Sequence, residues 1–113
     1  MTEGIVTFDD WSKIDLRVAE ILEVEEIEGA DKLYKLKLNV GSELGERTIA
    51  AGIKPYYKIK ELEGRKIIYF QNLNLRKIRG VESQGMLLAA SSEGNEQVIL
   101  LDPGAAEVGW RIG

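Results

Sequence analysis

Residues 16–27 alternate as a long β-strand would, but the apolar phase of the alternation changes twice along the segment. The successive apolar pairs are Leu16/Val18, Ala19/Ile21 and Leu22/Val24. Because neighbouring side chains of a strand point to opposite faces, a flat strand with this pattern would leave some of these residues in solvent. The change of phase therefore predicts a bulged, strongly coiled strand that serves two halves of a small barrel.

The rest of the chain supplies partners for such a strand. Residues 33–40 alternate cleanly, with Leu36 and Leu38 inward and Lys35 and Lys37 outward. Further strands are predicted at 46–51, 65–73, 85–90 and 97–101, with a helical turn at 8–13 and a short helix over about 55–62. Five or more curled strands with a helix between the third and the fourth are typical of the OB-fold, a partly open all-β barrel. We predict one such domain over residues 1–113, with extensions at 1–14 and 97–113.

The composition argues against most catalytic chemistry. The chain has no histidine and no cysteine, so it offers neither an imidazole base nor a thiolate nucleophile or metal ligand. The acidic run at 20–28 lacks the spacing and the central glycine of a calcium loop. We therefore expect a binding module rather than an enzyme, with no metal and no cofactor.

No targeting or membrane segment is recognisable. The start of the sequence shows no basic stretch followed by an apolar one, and the apolar runs, such as residues 86–90, are too short to cross a bilayer. We expect a cytoplasmic protein without a membrane partner, which the lack of cysteine also suits.

Charge is distributed unevenly along a chain whose net charge is −4. Residues 1–53 carry six Lys and Arg against twelve Asp and Glu, whereas residues 54–79 carry eight against two. Residues 80–113 are again acidic, with one Arg against five acids. A basic patch on one face is enough to bind a polyanion, and an acidic remainder helps to orient the encounter.

The basic residues gather where an OB-fold binds its ligands. Oligonucleotides lie there across strands 2 and 3, between the loop joining strands 1 and 2 and the loop joining strands 4 and 5. The basic positions are Lys32 in the first loop, Lys35 and Lys37 on strand 2, Arg47 on strand 3, and Arg76, Lys77 and Arg79 in the second loop. Charged loops are often only solvated turns, but this convergence favours phosphate contacts.

Short motifs from residue 15 to residue 90 carry a family resemblance. They are Asp15-Leu-Arg-Val18, Ala30-Asp-Lys-Leu33, Ala51-Gly-Ile53, Asn72-Leu73, Lys77, Gly80 and Ser83-Gln-Gly-Met-Leu-Leu-Ala-Ala90. In their order and spacing the chain resembles the tRNA-binding domain appended to many methionyl-tRNA synthetases, and the free-standing structure-specific tRNA-binding proteins. The resemblance implies an OB-fold that binds tRNA by shape near the outer corner of the L, forms homodimers and catalyses no reaction.

Two positions depart from the pattern that this resemblance implies. Leu75 stands where the family's loop usually has proline, and Ala51 stands where many members have serine. The first departure is expected to loosen the loop that carries Arg76 and Lys77. The second removes a hydroxyl that could form a hydrogen bond.

Four further residues are candidate tRNA contacts, namely Asn72, Ser83, Gln84 and Met86. The three polar side chains can bond a base edge, a ribose hydroxyl or a phosphate, or can instead cap the loop locally. Core packing is the ordinary interpretation of Met86, whereas the resemblance implies a thioether that faces the ligand. Of Tyr56 and Tyr57, one is expected in the core and the other is a candidate to stack on a base.

Both ends of the chain are more apolar than free tails need to be. The candidate interface residues are Ile5, Trp11, Val108, Trp110 and Ile112. These residues either close the bottom of the barrel or form an interface, since exposed apolar patches mark contact surfaces. Together with the implied habit of the family, they favour an isologous homodimer.

These features predict a non-catalytic, structure-specific tRNA-binding module that assists a methionyl-tRNA synthetase, as its C-terminal domain or as a free-standing relative. The predicted partners are tRNA, a second copy of the chain and a synthetase catalytic chain. The alternative is a protein-interaction module, either a synthetase-assembly adaptor or a chaperone-like peptide binder that uses the same groove.

Overall fold

The computed structural model describes residues 4–113, so the first three residues of the predicted 1–14 extension lie outside the described residues. The elements are α1 Phe8–Ser12, β1 Leu16–Glu26, β2 Tyr34–Asn39, β3 Glu46–Ala51, α2 Ile59–Leu62, β4 Lys66–Phe70, β5 Arg76–Ile78, β6 Val81–Ser83, β7 Met86–Leu87, β8 Ala89–Ser91, a 3₁₀ turn Glu93–Asn95, β9 Val98–Leu100 and β10 Arg111–Ile112. Within the span described, no helix is long and apolar enough to cross a bilayer.

Strand β1 organises the barrel because its two halves pair with different strands. Residues 16–20 pair antiparallel with β4, and residues 20–26 pair antiparallel with β2. The register with β2 shifts between Ile21 and Glu23, and the adjacent residues Val18 and Ala19 are both buried. These observations confirm the coiled, bulged strand that the change of apolar phase predicts.

The main sheet runs in the order β3-β2-β1-β4-β7, with β10 paired to the start of β1. The segment after β6 nearly closes the ring, because the Gln84 N–H donates to the Thr48 carbonyl at 2.8 Å. The Ser83 hydroxyl also accepts the Ala50 N–H at 3.0 Å. This nearly closed, five-stranded antiparallel barrel, with α2 between β3 and β4, confirms the predicted all-β OB-fold.

The core lies inside this ring. Ile21, Leu36, Ile49 and Ile67 have no exposed surface, and Leu62 brings α2 into the same cluster. Burying side chains of this size contributes about 1.5–3 kcal/mol each, which is the main force holding the strands in register.

Two predicted elements differ from those observed. Residues 85–90 form two short strands instead of one. The Leu88 N–H donates to the Ile68 carbonyl, next to β4, whereas the Leu88 carbonyl accepts from the Leu101 N–H, next to β9, so the pairing partner changes at Leu88. The predicted helix is shorter, because the N–H groups of Tyr56 and Tyr57 bond to the Ile53 carbonyl in a turn before α2 begins.

Candidate nucleic-acid interface

Residues 76–83, which lie in the connection predicted from the sequence as the loop joining strands 4 and 5, form a β-hairpin. The register pairs are Arg76↔Ser83, Lys77↔Glu82 and Ile78↔Val81. Arg79 and Gly80 alone connect the two strands, with φ values of 51° and 80°. Positive φ at both central residues is the signature of a type I′ turn, whose twist suits a two-residue connection. We call residues 76–83 the basic hairpin.

The root of the basic hairpin is fixed to β3. The Ser83 hydroxyl is buried, accepts from Ala50 and donates to the Gly85 carbonyl at 3.1 Å. The Gln84 side-chain oxygen accepts the Thr48 N–H at 2.8 Å, so Gln84 bonds to Thr48 through both its backbone and its side chain. The structure therefore places these two predicted contact residues where they orient the hairpin.

The tip of the basic hairpin meets the loop between β1 and β2. Arg79 shares a cleft of about 360 Å³ with residues 29–33, which include Lys32. A second cleft, of about 370 Å³, is lined by Lys35, Thr48, Gly80, Val81, Glu82 and Gln84. We call the two clefts together the hairpin groove. The basic positions of the first loop, of strand 2 and of the hairpin tip thus lie along one wall of the barrel.

Arg76 and Lys77 are exposed on the basic hairpin but line neither cleft. Within residues 4–113, no carboxylate oxygen lies within 4.0 Å of the basic nitrogens of Lys32, Lys35, Arg76, Lys77 or Arg79. Their charges are therefore available to an external anion, because no close ion pair has to be broken first.

Two nearby lysines are engaged differently. Lys37 lies 3.7 Å from Glu46, and Lys54 lies 2.7 Å from Glu26. The hydrogen bond that the Lys54 ammonium donates to Glu26 raises the pKa of Lys54 above its ordinary value. The positive charges of Lys37 and Lys54 are therefore partly neutralised within the chain, unlike those of Lys32, Lys35 and Arg79 in the hairpin groove.

An acidic row borders the groove on its β1 side. The cross-strand partners of Lys35 and Lys37 on β1 are Glu25 and Glu23, whereas their partners on β3 are Ala50 and Thr48. Directly paired residues share one face of the sheet. On this face of the sheet, the basic residues of β2 therefore lie next to acidic residues of β1.

Arg47 does not add to this surface, although the sequence predicted that it would. It lies two residues before the buried Ile49 and so has the inward phase of β3, and its Nε donates to the Leu44 carbonyl at 3.4 Å. The Tyr69 hydroxyl, which donates to the Gln84 carbonyl, has its pKa raised by burial, and Arg47 partly offsets that rise.

Asn72 and Met86 lie outside the two clefts. The Asn72 side chain accepts the Asp15 N–H at 2.9 Å and donates to the Lys13 carbonyl at 2.6 Å, so it ties the end of β4 to the N-terminal segment. Met86 is 42% exposed, opposite Phe70 of β4, and is therefore a surface residue rather than a core residue.

Both tyrosines after Pro55 have internal roles. The Tyr57 hydroxyl accepts the Leu100 N–H at 3.0 Å, and the Arg65 guanidinium lies 5.2 Å from the centre of its ring. The Tyr56 hydroxyl donates to the Asn95 carbonyl at 2.7 Å. The Arg65 guanidinium thus lies over the Tyr57 ring, whereas the Tyr56 ring is partly exposed and lines a cleft with residues 96–99.

The two ends of the chain meet beside the start of β1. The Arg111 guanidinium donates to the carbonyls of Ser12 and Ile14 at 3.3 and 3.2 Å. Among the apolar residues of the two terminal segments, Ile5 is 68% exposed, Trp110 55% and Trp11 39%, whereas Val108 and Ile112 are half-buried. We call these five apolar residues the terminal surface; they are the residues predicted to form a dimer interface.

Asp15 connects this junction to the barrel. Its carboxylate accepts from Arg17 Nε at 2.6 Å and from Gln71 Nε2 at 2.8 Å, and Arg111 lies 3.8 Å away. The hydrogen bond from Arg17 is the largest cause that lowers the pKa of Asp15 below its ordinary value. Arg17 also donates to the Gly109 carbonyl at 3.2 Å, so this ion pair has a structural role.

Sequence reasoning missed three polar residues of the hairpin groove, Asp31, Thr48 and Glu82. The alternation of β3, with Ile49 inward, was a signal that Thr48 faces outward. The sequence places Asp31 in the motif Ala30-Asp-Lys-Leu33 but does not identify it as a site residue, because its position in one cleft with Arg79 depends on a contact between distant parts of the sequence.

The fold and the groove define the class of protein: an OB-fold barrel with a basic hairpin beside its third strand. The chain belongs to the tRNA-binding domain family, since residues 16–111 match the family model described as "Putative tRNA binding domain". The family resemblance carried by the sequence motifs is confirmed.

Individual relatives agree with this assignment. Over 97 residues, or 86% of the chain, the sequence is 55% identical to a methionine–tRNA ligase of Caldanaerobacter subterraneus, but it spans only 15% of that ligase's length. A crystal structure of a MetRS-related protein from Pyrococcus horikoshii is 37% identical, with a TM-score of 0.89 over 97% of this chain and 99% of that one. A CsaA chaperone protein from Picrophilus torridus is 36% identical, with a TM-score of 0.88 over 96% and 100% of the two chains.

Proposed function

We propose that this chain is a non-catalytic module that binds tRNA by its overall shape and thereby assists a methionyl-tRNA synthetase, as part of that enzyme or as a separate cytoplasmic chain. The observation that carries the proposal is the hairpin groove, where Arg79 meets Lys32 beside Lys35 on one wall of the barrel. The membership of the tRNA-binding domain family supports tRNA as the polyanion.

The mechanism is electrostatic positioning. Arg side chains contact phosphates through a planar fork and Lys side chains through a point charge, so the contacts do not depend on base sequence. Folded RNA is then selected by the spacing of its backbone. Such a module raises the local concentration of tRNA at a catalytic chain without taking part in the reaction.

The test is a fluorescence anisotropy titration with total tRNA. The double variant Lys77→Ala/Arg79→Ala is expected to bind about tenfold more weakly, and the slope of log K against log salt is expected to fall by about 1.4–1.8, since each phosphate contact contributes about 0.7–0.9. The matched control is Lys58→Ala/Lys60→Ala, which removes the same charge from exposed positions around α2. Equal losses in both variants would show that only net charge matters.

We further propose that two copies associate through the terminal surface. Trp110→Lys places a charge in this exposed apolar patch and is expected to convert a dimer into a monomer in sedimentation velocity. Leu75→Lys, at a residue 59% exposed beside the basic hairpin, is the control and is expected to leave the dimer intact. A wild-type protein that sediments as a monomer would overturn this proposal.

A second candidate function is binding of unfolded peptides, because the CsaA chaperone protein has a similar structure over nearly its whole length. The exposed apolar side chains of the terminal surface suit such a ligand. Retained peptide binding by a chain that fails to bind tRNA at low salt would favour this candidate over the first.

A further inference from the structure

The cleft between Arg79 and residues 29–33 has a mixed chemistry that phosphate contacts alone do not require. Ala30 and Leu33 supply an apolar floor, Lys32 and Arg79 supply positive charge, and Asp31 supplies a carboxylate. An anion site gains nothing from an apolar floor and is weakened by a carboxylate. A nucleotide matches all three parts, because it combines an apolar base face, N–H groups on the base edge and a phosphate.

The backbone at Arg79 adds a second, independent observation. Its φ of 51° lies in the left-handed region, where a residue with a side chain is disfavoured relative to the right-handed conformation. Glycine or asparagine is the usual occupant of this position in a type I′ turn. A strained residue at a turn facing a cleft is typical of a functional side chain, since the turn itself gains nothing from arginine.

The hairpin is also held firmly enough to present this side chain. The buried Ser83 and the double bond between Gln84 and Thr48 fix its root. The opposite wall is fixed too, because the Lys54 N–H donates to the Lys32 carbonyl at 3.3 Å and the Ala30 N–H to Ile27 at 3.0 Å. The width of the cleft is therefore set by the barrel.

We propose that this cleft binds one unpaired nucleotide, a step beyond the shape-based tRNA binding on which the inference rests. The base lies on Ala30 and Leu33, and the face of the Arg79 guanidinium stacks on its other side while the N–H edge of the same guanidinium contacts a phosphate. The Asp31 carboxylate accepts N–H groups of the base edge, and Lys32 contacts the phosphate. Guanine is preferred, because it offers two adjacent N–H donors to one carboxylate whereas uracil offers one.

The test is a titration of the isotopically labelled chain with guanosine 5′-monophosphate, followed by backbone amide chemical shifts. The amides of residues 29–33 and of Arg79 and Gly80 are expected to shift at millimolar nucleotide, whereas inorganic phosphate is expected to leave the amides of Ala30, Asp31 and Leu33, which face the base, in place. Uridine 5′-monophosphate is expected to bind several-fold more weakly. Identical shifts with phosphate, or no shift with either nucleotide, would overturn the proposal.

Asp31→Asn provides the matched variant. It is expected to remove the preference for the guanosine over the uridine nucleotide, because the amide offers one acceptor oxygen and repels the N–H donors with its own amino group. Glu93→Gln, which makes the same charge change at an exposed residue outside the groove, is expected to retain the preference. If the nucleotide fails to bind while tRNA still binds, the unpaired-nucleotide site is excluded and the proposed function stands; the reverse result excludes the proposed function alone.

Discussion

Individual residues of the candidate site have different tasks, which the sequence could not separate. Ser83 and Gln84 bond to the barrel, and Asn72 bonds to the N-terminal segment, whereas Lys32 and Arg79 face the cleft. Local capping and ligand contact call for the same polar residue types, so only the partner atoms distinguish them.

Arg79 is the residue at which stability and binding are expected to oppose each other. Arg79→Gly relieves the left-handed φ, so the free energy of unfolding in urea is expected to stay constant or rise by up to about 1 kcal/mol. The affinity for tRNA is expected to fall several-fold, since a phosphate or base contact is lost. Asn95→Gly is the control, because Asn95 has a φ of 57° outside the groove and its replacement leaves the cleft unchanged. Loss of stability in Arg79→Gly would contradict the assignment of strain.

Asp15 is expected to make the stability of the protein sensitive to acid. Its pKa is lowered in the folded state, so its contribution is fully present above the unfolded pKa of about 3.9 and is lost as the pH falls through the folded pKa. Asp15→Asn is expected to lower the free energy of unfolding at neutral pH by about 1–3 kcal/mol, because charged hydrogen bonds are lost.

The same Asp15→Asn variant should also flatten the acid limb of a stability–pH profile measured by urea unfolding. Asp9→Asn, at an exposed residue of α1, is the control and is expected to leave that limb nearly unchanged. An equally steep acid limb in both variants would assign the acid sensitivity to other carboxylates.

At the scale of elements, the closure between β4 and the segment after the hairpin depends on Gly85. A side-chain Cβ there would lie 2.2 Å from the Phe70 carbonyl oxygen and 2.9 Å from the Tyr69 ring, and the φ is 109°. Gly85→Ala is therefore expected to destabilise the fold by about 3 kcal/mol or more in thermal or urea unfolding. Gly94→Ala combines a φ of 77° with open space and is expected to lose only about 1 kcal/mol. If Gly85→Ala and Gly94→Ala lose the same free energy of unfolding, the positive φ alone accounts for the effect and the close contacts at Gly85 do not contribute.

The strands were predictable where one periodicity dominates. The phase changes in β1 and the alternation of β2 predict the barrel and the bulge correctly. The reason is that a shift of register by one residue would expose the apolar side chains of the strand, so burial fixes which residues face the core. The hairpin was missed, since Arg79-Gly80 is not a usual type I′ sequence. The division of residues 85–90 was missed too, because all of these residues are compatible with one strand and the change of partner at Leu88 is a long-range event.

Across the whole molecule, the distribution of charge matters more than its sum. The net charge is −4, yet the hairpin groove presents basic groups without close carboxylate partners among the described residues. The acidic row on β1 limits this positive region on one side. We expect a polyanion that extends over β1 to meet repulsion, so the row should favour ligands whose phosphates stop at β2.

Neutralising the acidic row is expected to strengthen the binding of RNA in general and to weaken the preference for tRNA over duplex RNA. Glu23→Gln/Glu25→Gln should raise the affinity for tRNA a few-fold at low salt, because two repulsive charges next to Lys35 and Lys37 are removed, and should raise the affinity for plain duplex RNA by more. The effect should shrink as salt rises, since the screening length is about 10 Å at about 0.1 M. Glu93→Gln/Glu96→Gln changes the net charge equally outside the groove. If anisotropy titrations show the same gain for both double variants, the acidic row acts only through net charge and does not set the boundary of the bound RNA.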